Sequence, residues 1–229
     1  MNKSILAVSF VIAIFAVVVG VAVLAKNNNA NPASNNEYNS LSSATSSMPT
    51  PTLAISLNDW KLGSGKIVLM EYSDFQCPAC GAYHPLVKQL LAKRGKDITF
   101  IYRHFPLPQH LNAIPGARAA EAAGRQGKFW EMHDLLFEKQ SEWSELSNPS
   151  DTFVSYAKSI NLDTNKFISD YNDNTIKERI IADFKSASEL KINATPSFFV
   201  GLGDASNMKK IESIKSVDDF EKSIDSLLK

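Results

Sequence analysis

The pattern of apolar and polar positions predicts that the folded part of the chain starts as two buried strands joined by an amphipathic helix. Residues 66–72 (KIVLMEY) form a nearly continuous apolar run, which is typical of a central strand covered on both faces. Apolar positions then recur at helical spacing over residues 82–91, and residues 98–103 (ITFIYR) predict a second strand. Such a β-α-β unit favours a right-handed crossover and parallel strands.

The rest of the chain is first helical and then returns to strands. Residues 197–200 (SFFV) follow a Thr-Pro pair and precede two glycines, which predicts a strand that turns back into residues 209–214. A last helix begins at Ser216, three residues before Asp219, at the spacing of a capping box. A helical insertion at about residues 106–191 separates the two halves, with helices predicted over 113–123, 129–139, 152–160, 164–171 and 175–190. The predicted fold class is therefore α/β, in the order β-α-β, helical insertion, β-β-α.

The N-terminal 54 residues have a different pattern. Residues 5–25 are apolar and uncharged over a length that can cross a bilayer, whereas the apolar core of a signal peptide has only roughly 7–15 residues. Residues 1–25 are thus predicted to be a transmembrane anchor, with a cleaved signal peptide as the alternative. Residues 26–54, rich in Asn, Ser and Pro, predict a flexible linker, and residues 55–229 form the predicted folded domain.

The charge pattern bears on location and partners. Lys3 precedes the apolar run and only Lys26 follows it closely, a weak bias that directs the N-terminus to the cytosol and the folded domain to the extracytoplasmic side. Over the whole chain 24 basic residues balance 24 acidic ones. No overall positive field attracts nucleic acid, so we expect no nucleic-acid partner.

The two cysteines of the chain, Cys77 and Cys80, lie directly after the first predicted strand in the motif CPAC. Pro78, followed by Ala79, suits the first position of a helix because its missing N–H would have no partner there. Cys77 then caps the helix N-terminus, where free N–H groups and the helix dipole favour a thiolate. Cys80 lies about one turn deeper on the same face, at a spacing that permits a strained and easily opened disulfide.

Three interpretations of this pair compete. A structural disulfide closing so short a loop would stabilise the fold little. A zinc site needs about four ligands, and the CxxC supplies two, with His84, His104 or His110 as candidates for the others. A redox-active dithiol fits best, so we expect no metal and no cofactor. His133 is expected to be an ordinary helix residue.

Further motifs support the redox interpretation when they are taken in order. The set consists of EYSDF at 71–75, CPAC at 77–80, His84-Pro85, YRHFP at 102–106 and Thr195-Pro196. Together they resemble the DsbA-like thiol-disulfide oxidoreductases of the thioredoxin fold, in particular their membrane-tethered branch. The resemblance covers about residues 60–229 and implies that fold with a helical insertion.

The resemblance also implies roles for residues outside the cysteine pair. Glu71 would be a buried acid that passes protons to and from the deeper cysteine, and burial would raise its pKa. The alternative is an exposed glutamate at a strand end. Pro196 would follow a cis peptide bond, and its loop with Thr195 would face the sulfurs and hold substrate backbone. Otherwise Pro196 begins a strand and Thr195 is a turn residue.

The resulting hypothesis is an extracytoplasmic dithiol oxidase that introduces disulfides into reduced exported proteins or peptides. A membrane quinone-linked reoxidase is the partner implied by the resemblance, and no dimerisation segment is evident, so we expect a monomer. The most oxidising relatives carry a histidine between the cysteines where this chain has Pro78-Ala79, so a less extreme redox potential is expected. A disulfide reductase or isomerase is the alternative enzyme, and an anchored peptide-binding module is the alternative without catalysis.

Overall fold

The computed structural model describes residues 53–203 and 207–228, besides the isolated Asn39. The predicted anchor and nearly all of the predicted linker lie outside these residues. Among the helices that are described, none is long and apolar enough to cross a membrane.

A five-stranded mixed sheet forms the centre of the fold, in the order β1-β3-β2-β4-β5. β2 and β3 pair in parallel, from Ile67 opposite Ile98 to Ser73 opposite His104, and the other neighbours are antiparallel. The strands are β1 (Trp60–Leu62), β2 (Ile67–Ser73), β3 (Ile98–His104), β4 (Ser197–Leu202) and β5 (Lys209–Ile211).

Helices cover both faces of this sheet. The first connects β2 to β3, the next six form the insertion, and the last closes the chain. They are α1 (Pro78–Arg94), α2 (Ala113–Gly124), α3 (Phe129–Glu138), α4 (Gln140–Trp143), α5 (Ser150–Ser159), α6 (Thr164–Tyr171), α7 (Asn174–Glu189) and α8 (Val217–Asp225). This order confirms the predicted thioredoxin-like α/β fold with a helical insertion.

The central strand β2 is buried along its whole length because its two faces meet two different cores. Val68, Met70 and Tyr72 belong to the core that the sheet shares with the insertion. Ile67 and Leu69 belong to the core on the other face, which α1 and α8 complete. Because both faces of β2 are buried, its sequence is apolar at consecutive positions and not only at alternating ones.

Strand β1 was not predicted from the sequence. It pairs with β3 and places Trp60 opposite Tyr102. The Trp60 ring stacks on Phe129 at 4.3 Å and lies over Gly124, where an added Cβ would be 2.4 Å from the indole. The indole N–H donates to Glu121 at 2.7 Å. Side-chain packing therefore positions this three-residue strand, which is too short to show an alternating pattern.

A buried ion pair fastens the segment before β1 to the sheet. Arg103 Nε and Nη2 donate to the two carboxylate oxygens of Asp59, each at 2.9 Å. The same guanidinium donates to the Ala54 carbonyl and the Tyr72 hydroxyl, each at 2.7 Å. Leu53 also packs against the core, so the segment before β1 is part of the folded domain.

The end of the sheet differs slightly from the prediction. β5 ends at Ile211, whereas the sequence pattern predicted a strand to residue 214. Ser213 has φ +57°, in the left-handed region, and this conformation cannot continue a strand. The capping box of Ser216 and Asp219 is confirmed at the start of α8.

Candidate active site

The cysteine pair lies just after β2, at the start of α1. Cys77 has extended backbone angles and caps the helix, and Pro78 is its first residue. Both cysteines are free thiols; Cys77 is 6% exposed and Cys80 is fully buried. The local sequence explains this arrangement, because Pro78 fits the first helical turn and Cys80 then falls one turn inside the protein.

The start of β4 faces Cys77. Tyr72 of β2 pairs with Ser197, which brings the preceding Thr195–Pro196 peptide to the cysteine end of β2. This peptide is cis, as the resemblance implied. The Cys77 thiol donates to the Thr195 carbonyl oxygen at 3.6 Å. The structure thus brings together the cysteines and the Thr195–Pro196 loop, which lie more than a hundred residues apart in the sequence.

The pKa values of the two thiols are shifted in opposite directions. A hydrogen bond from the Cys80 thiol lowers the pKa of Cys77 to about 5, together with the Thr195 side chain and the backbone N–H groups of Ala79 and Cys80. The Thr195 hydroxyl is buried beside the pair and has no well-formed hydrogen bond among the described residues. Burial raises the pKa of Cys80 well above its ordinary value, and the nearby Cys77 and Glu71 add to this effect. Cys77 is therefore the more acidic thiol of the pair, and Cys80 is the thiol that keeps its proton.

Glu71 is buried, which excludes the alternative of an exposed strand end. Burial raises the pKa of its carboxyl group to about 7, against a smaller opposing contribution from Ser73. Its charge in turn raises the pKa of Cys80. A carboxyl group with this pKa exchanges a proton readily near neutral pH.

Two buried hydroxyl groups beside Glu71 were missed by the sequence analysis. Ser73 Oγ and Tyr102 Oη have no well-formed hydrogen bond among the residues that the structure describes. Ser73 lies two residues after Glu71, on the same face of β2, and Tyr102 is opposite Glu71 on β3. The strand period could have indicated Ser73, whereas Tyr102 depends on the pairing of β2 with β3.

The loop before Cys77 is held by polar side chains to which the sequence analysis assigned no such role. Asp74 accepts hydrogen bonds from the Gln76 N–H at 2.8 Å, the Leu107 N–H at 2.9 Å and His110 Nδ1 at 2.6 Å. The hydrogen bond to Asp74 raises the pKa of His110. From the insertion, Gln140 Nε2 donates to the carbonyl of Cys77 at 2.9 Å. The insertion therefore helps to shape the active-site loop.

The histidines suggested as zinc ligands are not gathered around the cysteines. His104 pairs with Glu121 at 2.8 Å, and His110 pairs with Asp74. Among the described residues, the one group with ligand atoms close enough for a metal ion is His84, His133 and Asp134, which includes neither cysteine.

His133 lies in a helix, as expected, but its side chain is enclosed in the core. It is buried beside His84, with the ring centroids 5.3 Å apart. Burial lowers the pKa of His84 to about 4 and lowers that of His133. Both rings are therefore uncharged at neutral pH.

Comparison with known proteins agrees with this geometry. A family model described as thioredoxin matches residues 64–226. Alpha-DsbA1 from Wolbachia pipientis is 26% identical, with a TM-score of 0.68, over 76% of this chain and 93% of that chain. DsbA2 from Pseudomonas aeruginosa is 25% identical, with a TM-score of 0.60, over 76% and 96%. BdbD from Bacillus subtilis, in its oxidised form, shares the fold at 20% identity, with a TM-score of 0.66, over 79% and 99%.

Curated relatives of higher identity are much longer proteins. The Na(+)/H(+) antiporter NhaA 1 of Salinispora arenicola is 41% identical over 135 residues, which are 58% of this chain and 20% of that protein. NhaA 1 of Mycolicibacterium vanbaalenii is 38% identical over 139 residues, which are 58% and 21%. The chain thus spans about a fifth of the length of these relatives. The family match covers most of the chain, so the chain belongs to the thioredoxin family, and its described domain is similar to the DsbA proteins among the solved structures.

Proposed function

We propose that the protein is an extracytoplasmic dithiol oxidase that introduces disulfides into reduced exported proteins or peptides. One observation carries the proposal: the Cys77 sulfur lies at a helix N-terminus, 3.6 Å from the carbonyl before the cis proline, and Cys80 is fully buried behind it. This arrangement leaves one sulfur to meet a substrate and keeps the other to form and break the internal disulfide.

The reaction starts from the oxidised pair. A substrate thiolate attacks the Cys77 sulfur, the Cys77–Cys80 bond breaks, and Cys80 leaves as a thiolate. Glu71, with a pKa of about 7, supplies the proton that this buried sulfur needs. A second substrate thiolate then attacks the substrate sulfur of the mixed disulfide, and Cys77 leaves as a thiolate. The substrate has lost two electrons and the protein has gained them.

The acidity of Cys77 supports this direction of the reaction. Its pKa of about 5 keeps the reduced protein in the thiolate form at neutral pH, which stabilises the reduced state relative to the disulfide. A thiol of low pKa is also a good leaving group in the second step. Pro78-Ala79 supplies no further positive charge, so we expect a potential below that of the strongest oxidants.

Equilibration with glutathione tests the direction. The reduction potential of the Cys77–Cys80 pair should lie between that of DsbA, about −120 mV, and a limit of about −200 mV. A value near that of thioredoxin, about −270 mV, would instead indicate a disulfide reductase.

A Cys80→Ala variant tests the role of Cys77. Without the buried thiol, mixed disulfides between Cys77 and substrates should persist and be visible on non-reducing gels of cell extracts. A Cys77→Ala variant is the matched control and should form no such adducts. Equal adduct formation by the two variants, or none by either, would contradict the proposed nucleophile; the second result would favour the peptide-binding module.

The location and the reoxidation partner are parts of the same proposal. Residues 1–25 would anchor the chain, so that the folded domain works on the extracytoplasmic side next to a membrane quinone-linked reoxidase. The full chain should sediment with membranes, and protease added to spheroplasts should degrade the folded domain. Recovery of the intact domain from the cytosol would refute this location.

A further inference from the structure

His84, His133 and Asp134 form a compact group between the active-site helix α1 and helix α3, and we call this group the histidine pocket. One ring nitrogen of each histidine and one carboxylate oxygen of Asp134 lie within 4.8 Å of one another. His84 belongs to α1, one turn after Cys80, and the other two residues belong to α3. The pocket therefore joins the active-site helix to the insertion.

The nitrogen atoms of this pocket are incompletely satisfied. His84 is 6% exposed and His133 is 4% exposed, and the Nε2 atom of each has no hydrogen-bond partner among the described residues. His133 Nδ1 donates a hydrogen bond to Asp134 Oδ1 at 3.0 Å, whereas His84 Nε2 lies 3.6 Å from that oxygen, which is too long for a hydrogen bond. Burying a polar atom without a partner is unfavourable, so a group that accepts the lone pair of His84 would stabilise the fold.

The surroundings of the pocket restrict what can bind there. Apolar and aromatic rings enclose the histidines, with Phe137 stacked on His84 at 5.1 Å and Tyr102 against His133 at 4.9 Å. The charged neighbour is Lys88, whose ammonium group donates to Asp134 at 2.9 Å and to Glu138 at 2.7 Å. Lys88 is half-exposed, and it can keep Glu138 as its partner if a cation engages Asp134.

We propose that the histidine pocket is a binding site for a divalent transition-metal ion of the Zn²⁺ type. Two uncharged imidazoles and one carboxylate are a ligand set that Zn²⁺ and Co²⁺ favour, whereas Ca²⁺ and Mg²⁺ prefer oxygen ligands alone. The ligand atoms are close enough for one ion to reach all three after small movements, and water can occupy a fourth position. The bound ion would connect α1 to α3 independently of the cysteine pair.

The test uses the full chain with Cys77→Ala and Cys80→Ala substitutions, so that thiolates cannot bind metal. Titration with Co²⁺ should give one equivalent of a visible absorption typical of nitrogen and oxygen ligands, without the near-ultraviolet band of a cobalt-thiolate bond. Zn²⁺ should displace the Co²⁺ at a ratio of one to one. A failure of oxidase activity in the unsubstituted protein would not affect this result.

Variants at the pocket assign the binding to these residues. In the same background, Asp134→Asn should weaken Co²⁺ binding at least about tenfold, because it removes the anionic ligand. Lys88→Met should strengthen binding several-fold, because it removes the competing ammonium group. The control Asp151→Asn changes an exposed aspartate on α5 and should have no effect.

The result at His84 completes the assignment. His84→Phe keeps an aromatic ring against Phe137 and should abolish Co²⁺ binding. If the His84→Phe variant does not fold, the result for Asp134→Asn decides the test. The proposal is overturned if the cysteine-free chain binds no Co²⁺, or if Asp134→Asn binds it as tightly as the parent.

Discussion

At the residue scale, Glu71 links the chemistry of the pair to the stability of the fold. Burial raises its pKa to about 7 from 4.5, so the folded state holds a proton that the unfolded chain releases. The stabilisation by this proton is complete below pH 4.5 and is lost as the pH rises through 7. At alkaline pH the buried carboxylate therefore opposes folding.

A Glu71→Gln variant measures this effect. In the oxidised protein, where the cysteines do not titrate, the parent should lose stability between about pH 5 and 7, and the variant should not. At pH 8 the variant should exceed the parent in free energy of unfolding by on the order of 1–3 kcal/mol, as measured by urea denaturation. Glu178→Gln, at an exposed position of α7, is the control and should follow the parent. Parallel curves for Glu71→Gln and the parent would show that the pKa of Glu71 is not raised in the folded protein.

The residues of the site differ in how far the sequence could predict them. Cys77 and Cys80 followed from their position after an apolar strand and before a proline, because local geometry alone determines their exposure and order. The burial of Glu71 was inferred from the resemblance, since its place in an apolar strand allowed either outcome. The pairing of His133 with His84 could not be foreseen, because it depends on how α3 packs against α1.

At the element scale, the ion pair of Asp59 and Arg103 is expected to hold β1 and the preceding segment in place. Both side chains are buried, so removing one charge leaves the other without compensation. An Asp59→Asn substitution should destabilise the protein by about 3–5 kcal/mol. Thermal and urea unfolding would measure this loss.

An exposed ion pair provides the comparison for Asp59→Asn. Glu138 pairs with Lys88 at 2.7 Å, with both side chains about half-exposed. Glu138→Gln should change stability by less than about 1 kcal/mol. An effect of Asp59→Asn as small as this would mean that the segment before β1 contributes little to the fold.

The predictability of the elements follows from their length. The central strands and the five long helices of the insertion were predicted because each repeats its apolar pattern over several residues. β1 and α4, with three and four residues, are too short for such a pattern. Tertiary contacts determine them instead, as the stacking of Trp60 on Phe129 illustrates.

At the scale of the whole molecule, the redox state of the pair should change the stability of the entire domain. The pKa of Cys77 is lowered in the folded, reduced protein to about 5 from 9.0. Its stabilising contribution is therefore complete above pH 9.0 and is lost as the pH falls through about 5. The oxidised protein has no thiolate and lacks this contribution.

Unfolding of the two redox forms tests this expectation. At pH 7 the reduced protein should require more urea to unfold than the oxidised protein, and the difference should shrink as the pH approaches 5. The double variant Cys77→Ala, Cys80→Ala should unfold identically with and without a reducing agent. Greater stability of the oxidised form at pH 7 would favour a disulfide reductase.

The two outer strands of the sheet also affect whether another chain can pair with its edges. Both β1 and β5 are only three residues long, and they carry exposed lysines at positions 61, 209 and 210. Short edge strands that carry repelling ammonium groups are poor templates for the backbone pairing that leads to fibrils. Among the described residues, the sheet thus presents no long exposed edge to which an unfolded chain could add a strand.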